Sequence, residues 1–475
     1  MSSHPTPHTD RSRDRFPLQI KYIVGNEACE RFSYYGMRSL LAIYITGVLG
    51  ATQDRATEII HYFIFANYFT PLLGAWLSDR VWGRYHTILW ISLFYCAGHG
   101  VLAMSDLATS VDSKTWCLYI GLGLIAFGSG GIKPCVSAFV GDQFRADQGH
   151  LLQKAYGAFY WSINFGSFFS FIVVPWVKDH HGYGWAFGVP GILMGIATLI
   201  FWLGTRHYVM VPPARQTRQA GFFAVFFHAL AQSSRRRPGQ GFWGAARDRF
   251  SAEEVEAAAS VGPILGVFAM IPAFWALYDQ STSTWVLQGS QMERFTLWGF
   301  EVTAEMMQSA NPALVMILVP LLTLGLYPRV GRLATPLRRM GAGLVLGACS
   351  FLIVAWLQGR LDRGETLSLA WQILPYAVLT TGEVLLSTTG LEFAFTEAGK
   401  QMKSTIMSFW LLTVAAGNLV VAWITRWLGT GDSAVTESRF QMYALLTFVV
   451  AGAFAVVAHF YRYRNPANAR GTAPA

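Results

Sequence analysis

The sequence predicts an all-α membrane protein with twelve transmembrane helices in two six-helix bundles, on three observations. It is 53% hydrophobic and only 13% charged over 475 residues, whereas soluble domains carry about 25% charged residues. Twelve apolar stretches reach the roughly 17–25 residues that a membrane helix needs. One long polar stretch, 206–261, divides them six and six. Mean hydropathy is +0.35, and the 34 Phe and 17 Trp suit lipid-facing surfaces and interfacial belts.

The chain opens with a polar tail, 1–17, without the apolar core of a signal peptide, so the first membrane helix is expected to act as the insertion signal. The first bundle, 18–205, starts with a span near 18–48 that is apolar apart from four charges. A second, near 56–79, ends in a Gly- and Arg-containing loop. The third, near 85–105, and the glycine-rich fourth, near 115–140, follow. An aromatic fifth lies near 152–176, and a sixth without charges near 185–205 is closed by Arg206. The linker 206–261 holds the basic run Arg235–Arg237 and the segment GFFAVFFHALAQ, too short to span and expected at the membrane interface. The second bundle, 262–462, has spans near 262–286, 311–328, 336–357, 367–396, 404–428 and 438–462, and a tail, 463–475, ends the chain.

Charge bias orients this layout. Of 36 Lys and Arg, 24 fall on the side of the termini and linker and eight on the other. Lys21, Arg31, Arg38 and Lys133 lie in or near membrane helices. The positive-inside rule then puts both termini in the cytoplasm. Because the basic residues sit in short loops, the net charge of +9 reads as topology rather than as nucleic-acid binding. No GxxxxGK(S/T), HExxH, GxSxG or CxxC motif occurs, which argues against an ATP-driven pump, a membrane enzyme, a metal or another cofactor. Cys29, Cys96, Cys117, Cys135 and Cys349 are read as small packing residues.

The four charges of the first span are Glu27, Glu30, Arg31 and Arg38. A charge at the bilayer centre costs about 2.5–3.5 kcal/mol on insertion scales, so these must face protein or water and pair. At about 100° per residue, Arg31, Tyr34 and Arg38 fall within roughly 40° of Glu27, with Glu30 about 60° to one side. The span is expected to turn a charged stripe toward an internal cavity. Arg31, Arg38 and Lys133 form a cationic set on the first bundle suited to a carboxylate. Asp279 and Glu383 are acids at membrane depth on the second, suited to an ammonium group. A zwitterion with separated charges would bridge the bundles and bias the rocking of one against the other. Pro134, beside Lys133, can bend its helix and free a carbonyl near the cavity.

Several motifs carry a family resemblance. The loop Gly74-Ala-Trp-Leu-Ser-Asp79-Arg80-Val-Trp-Gly83-Arg84 resembles the signature loop of the major facilitator superfamily. Glu27-Ala-Cys-Glu30-Arg31-Phe32-Ser-Tyr34-Tyr35 resembles the ExxERFxYY motif of the proton-dependent oligopeptide transporters. Phe127-Gly-Ser-Gly-Gly-Ile-Lys133-Pro134 and Phe159-Tyr160-Trp161-Ser-Ile-Asn164-Phe-Gly166 agree, in the expected order. The resemblance runs from about 20 to 460 and implies the major facilitator fold and proton-coupled symport of di- and tripeptides by alternating access. It implies that Glu27 and Glu30 with Arg31 couple proton binding to transport. Arg38–Asp279 and Lys133–Glu383 would then be ion pairs between the bundles, which adds Lys133, Asp279 and Glu383 to the proton-coupling set. Tyr34, Tyr35, Tyr68, Asn164, Asn311 and Trp410 would line the peptide site, Tyr68 because it stands eleven residues before Asp79. Asn311, just before Pro312, equally fits a helix N-cap.

Many bacterial members insert two extra spans between the bundles, for which this linker is too polar. The ninth and tenth spans are joined by a short loop where animal relatives carry a large outer domain, which favours a bacterial cytoplasmic membrane. A monomer in the lipid bilayer is expected, with peptides and protons as partners. His61 is read as lying toward the outer end, a turn or more from the level of Tyr68, and outside the coupling set. Glu392, about 180° from Glu383, and Glu397 have no assigned role. A carrier of nitrate or an organic anion, or a drug exporter, are the alternatives.

Overall fold

A computed structural model describes residues 16–213, 220–235, 241–326, 329, 335–398, 400–429 and 433–464. Most of both tails, and 214–219 and 236–240 of the linker, lie outside the described residues.

Among the described residues, eight helices are long and apolar enough to cross a membrane, or nine if one bent pair makes a single span. The stretches read in the sequence are more numerous for local reasons. The first, α1 (Ile20–Ile43), carries its four charges. The second is divided into α2 (Gln53–Phe69) and α3 (Pro71–Leu77), where Pro71 has no N–H to continue the ladder. After α4 (Arg84–Met104) and α5 (Val111–Asp142), two stretches share α6 (Gly149–Leu203), where two helices meet at Gly182 with φ of 83°. Only glycine takes that conformation without strain.

In the linker, GFFAVFFHALAQ forms α7 (Phe222–Ala231), half-buried through Phe222, Val225 and Ala229. A capping box between Ser251 and Glu254 starts α8 (Ala252–Phe268). The helix bends by 46° into α9 (Pro272–Tyr278), and α10 (Thr284–Gly289) follows. The next element is a hairpin of β1 (Phe295–Leu297) and β2 (Phe300–Val302), in a stretch with no element expected from sequence. Its turn residues Trp298 and Gly299 both have positive φ, 51° and 85°, as a two-residue turn between twisted strands requires. The remaining helices are α11 (Ala310–Pro320), α12 (Pro336–Asp362), α13 (Ile373–Glu383), α14 (Thr389–Glu397), α15 (Lys403–Leu428) and α16 (Glu437–Phe460).

Helices before the linker pack mainly on one another, α1 on α6 and α4 on α5 and α6; those after it do likewise, α12 on α13 and α16. The two groups meet where α2 runs along α15 and α6 touches α11. Glycines set the closest approaches. A Cβ on Gly74 would stand 2.5 Å from the Gly131 backbone, and one on Gly382 would stand 2.8 Å from the Gly343 carbonyl. One end of the assembly carries the linker and the other the hairpin; they are called the linker side and the hairpin side.

Candidate substrate and coupling site

The charged stripe of α1 is buried as its spacing predicts. Arg31 Nε stands 2.7 Å from Glu27 Oε1 and 2.8 Å from Glu30 Oε2, and all three residues are at most 9% exposed. A cation held by two carboxylates meets the demand that charges removed from water be paired. Gly166 lets α6 close on this point, since a Cβ there would stand 2.5 Å from the Ala28 carbonyl oxygen.

Lys133 lies one helix away. Its ammonium sits 4.3 Å from the ring centroid of Tyr34 and 4.6 Å from that of Tyr68, a cation–π arrangement. It has no hydrogen-bond partner among the described residues. The Lys133–Glu383 pair is not formed. Glu383 Oε2 instead accepts from Asn311 Nδ2 at 2.7 Å, and that amide also donates to Thr380 Oγ1 at 3.1 Å. Tyr278 in turn donates to Asn311 Oδ1 at 3.2 Å. Asn311 is inside α11 and orients Glu383, so the capping reading is set aside. Directly after Glu383 the helix widens into a π turn, Val384–Thr388, a local irregularity often found at functional positions.

The second pair is present. Arg38 Nη1 stands 3.4 Å from Asp279 Oδ1, and both side chains are buried. Asp279 Oδ2 accepts from Asn418 Nδ2 at 2.7 Å. That orientation of the amide, which also donates to the Val414 carbonyl, leaves Asn418 Oδ1 facing His61 Nδ1 at 2.7 Å. His61 Nδ1 is therefore the donor, and Nε2 meets Ser283 Oγ at 3.0 Å. The ring of His61, fully buried, thus joins α2 to α15 and to the start of α10. Sequence spacing could not find this, because Ser283 and Asn418 are more than two hundred residues away.

Between the groups lies a cavity of about 140 Å³. One wall holds Tyr35, Arg38, Tyr160, Asn164 and Ser167; the other holds Tyr278, Gln308, Asn311, Tyr376 and Glu383. Five of the predicted site residues, Tyr35, Arg38, Asn164, Asn311 and Glu383, thus share one space. The others do not line it. Tyr34 is wholly buried against Tyr35 and Phe63. Arg31, Tyr68, Lys133 and Asp279 stand behind the wall, and Trp410 packs on Phe268 and Trp275. Tyr160, within the motif of the fifth span, and Tyr278, beside Asp279, also line the cavity and have no role assigned from sequence. Tyr160 lies four residues before Asn164, so the same helix face could have signalled it.

Further ion pairs between the groups gather on the hairpin side. Arg439 meets Asp54 at 2.9 Å and Arg426 meets Glu58 at 3.8 Å. Lys178 of α6 pairs with Glu305 just before α11, both nearly buried. On the linker side, Arg84 pairs with Asp142 within the first group.

Comparison with known proteins completes the picture. A family model described as the POT family (PTR2) matches residues 85–439. The chain is 37% identical over 360 residues to "Peptide transporter family 1" of Drosophila melanogaster, covering 73% of this chain and 48% of that protein. It is 34% identical over 376 residues to human "Solute carrier family 15 member 1", covering 73% and 53%. The chain spans about half the length of these curated relatives. Among solved structures, that of an auto-inhibited POT family peptide transporter matches with a TM-score of 0.85 and 39% identity, over 96% of this chain and 100% of the other. The in meso structure of the POT family transporter PepTSo matches at 0.83 and 39%, over 94% and 98%. These relatives are transporters, not enzymes. By sequence over most of its length and by fold over nearly all of it, the chain belongs to the POT family.

Proposed function

We propose that this chain is a proton-coupled symporter of di- and tripeptides that works by alternating access, with twelve spans in two bundles, 18–205 and 262–462, joined by a cytoplasmic linker. The observation that carries the proposal is the cavity with a guanidinium, Arg38, on one wall and a carboxylate, Glu383, on the other. Separated opposite charges suit a zwitterion whose ends engage different bundles. Tyr35, Tyr160, Tyr278 and Asn164 offer aromatic faces and hydrogen-bonding groups that contact a backbone without selecting one side chain. Arg31 and Lys133, behind the wall, complete the cationic side once the bundles shift. The cavity is smaller than the roughly 300–1,000 Å³ of ordinary ligand pockets, so peptide entry goes with the bundles parting.

Coupling rests on the buried groups. Glu27 and Glu30 share Arg31; protonating either loosens that ion pair and lets α1 move. Asp279, with Arg38, Asn418 and His61, forms a chain across the bundle interface that proton binding would rearrange. The pairs at Asp54–Arg439, Glu58–Arg426 and Lys178–Glu305 hold the hairpin side shut, which is read as the outer face of a bacterial cytoplasmic membrane. The test is counterflow, the exchange of labelled for unlabelled dialanine across liposomes without a gradient. Wild type should exchange and Glu383→Gln should lose exchange at low substrate; equal exchange by both would remove the amine site from the proposal.

A further inference from the structure

A groove of about 660 Å³ runs between α12 and α16 on the linker side, remote from the cavity. Small residues line its floor, Gly341 and Ala342 on one helix and Ala455 and Ala458 on the other. Its mouth is basic: Arg338 and His459 are both exposed there and line it. Arg338 sits in the first turn of α12, where the helix dipole adds positive potential. Arg462, also exposed, follows two residues after the end of α16. The floor matches an acyl chain in polarity, and the mouth is complementary in charge to a phosphate.

The groove is tied to the moving parts. The segment after α16 runs from its mouth to α14: Tyr461 and Tyr463 both meet the ring of Phe393, at 5.3 and 6.2 Å between centroids. The Arg464 amide donates to Glu397 Oε2 at 2.7 Å, so the buried carboxylate that the sequence left without a role anchors this strap. Through α14 and the π turn the strap reaches the helix that carries Glu383.

We propose that the α12–α16 groove is a binding site for an anionic phospholipid, its headgroup on Arg338 and His459 and one acyl chain along the alanine-lined floor. A basic pocket between membrane helices on the positively charged side is where anionic headgroups collect, and the strap makes occupancy felt at the linker end of α14. The full-length protein, purified in detergent, is titrated with dioleoyl phosphatidylglycerol or dioleoyl phosphatidylcholine and retained lipid is read by native mass spectrometry. Wild type is expected to retain phosphatidylglycerol preferentially. Arg338→Gln should lower that preference about fivefold, the effect of one basic side chain at an anionic surface, and Ala455→Phe, which fills the floor, should lower retention of both lipids. Size-exclusion profiles matching wild type establish that the variants are folded. Equal retention of the two lipids by wild type, an unchanged preference in folded Arg338→Gln, or a protein dimer that excludes lipid would each overturn the proposal. None of these readouts depends on peptide transport.

Discussion

Replacing His61 by leucine should open the hairpin side. Its two hydrogen bonds, 2.7 Å to Asn418 and 3.0 Å to Ser283, both cross between the helix groups and are fully buried. Each contributes about 1 kcal/mol net, so losing both shifts the balance between closed and parted arrangements by about 2 kcal/mol, roughly 30-fold. Ser283→Ala removes only one bond and should shift it by about 1 kcal/mol, roughly fivefold. Spin labels at Leu107→Cys and Glu301→Cys, both exposed on the hairpin side and one in each group, would report the distance between groups in protein whose five native cysteines are replaced. Pulsed electron–electron resonance should show the longer distance gaining most in His61→Leu and less in Ser283→Ala. Unchanged distributions, or equal shifts in both variants, would refute the reasoning.

Glu27→Gln removes one carboxylate from Arg31 and should abolish gradient-driven accumulation while leaving exchange; full accumulation in that variant would contradict the coupling assignment. Asn311→Leu takes away the donor to Glu383, a bond to a charged group worth about 1.5–3 kcal/mol, and should weaken dialanine binding at least about tenfold by calorimetry. Gly74→Val drives a side chain into the Gly131 backbone and should lower thermal stability in detergent, since overpacking costs about 1–3 kcal/mol. Arg360, in the last turn of α12, holds the carboxyl of Glu365 in the following loop below its ordinary value of 4.5. The clasp is therefore intact above pH 4.5 and lost as pH falls through the lowered folded value, which amide exchange at 363–366 would show and Glu365→Gln would abolish.

The helical plan was legible because burial in lipid leaves a strong record in composition: the stretches near 336–357 and 404–428 lie within α12 and α15. Breaks were less legible. Pro71 was an available signal, but the bend between α8 and α9 and the meeting of two helices at Gly182 depend on packing. The hairpin escaped because three-residue strands give too little alternation to stand out. Within the site, the α1 stripe followed from helical spacing alone and the Arg38–Asp279 pair from family resemblance. Neither could show that Lys133 rests on the Tyr34 and Tyr68 rings while Asn311 holds Glu383. Which partner a buried ion takes depends on how the helices pack around it, and that is a property of the arrangement rather than of the residues.

The most direct test of the central claim is uptake of labelled dialanine by the purified protein in liposomes, with and without an inward proton gradient. The account predicts accumulation above the outside concentration that collapses on adding a protonophore and is competed by di- and tripeptides. Gradient-independent equilibration would contradict the coupling, and no peptide-dependent flux from folded protein would contradict the peptide site itself.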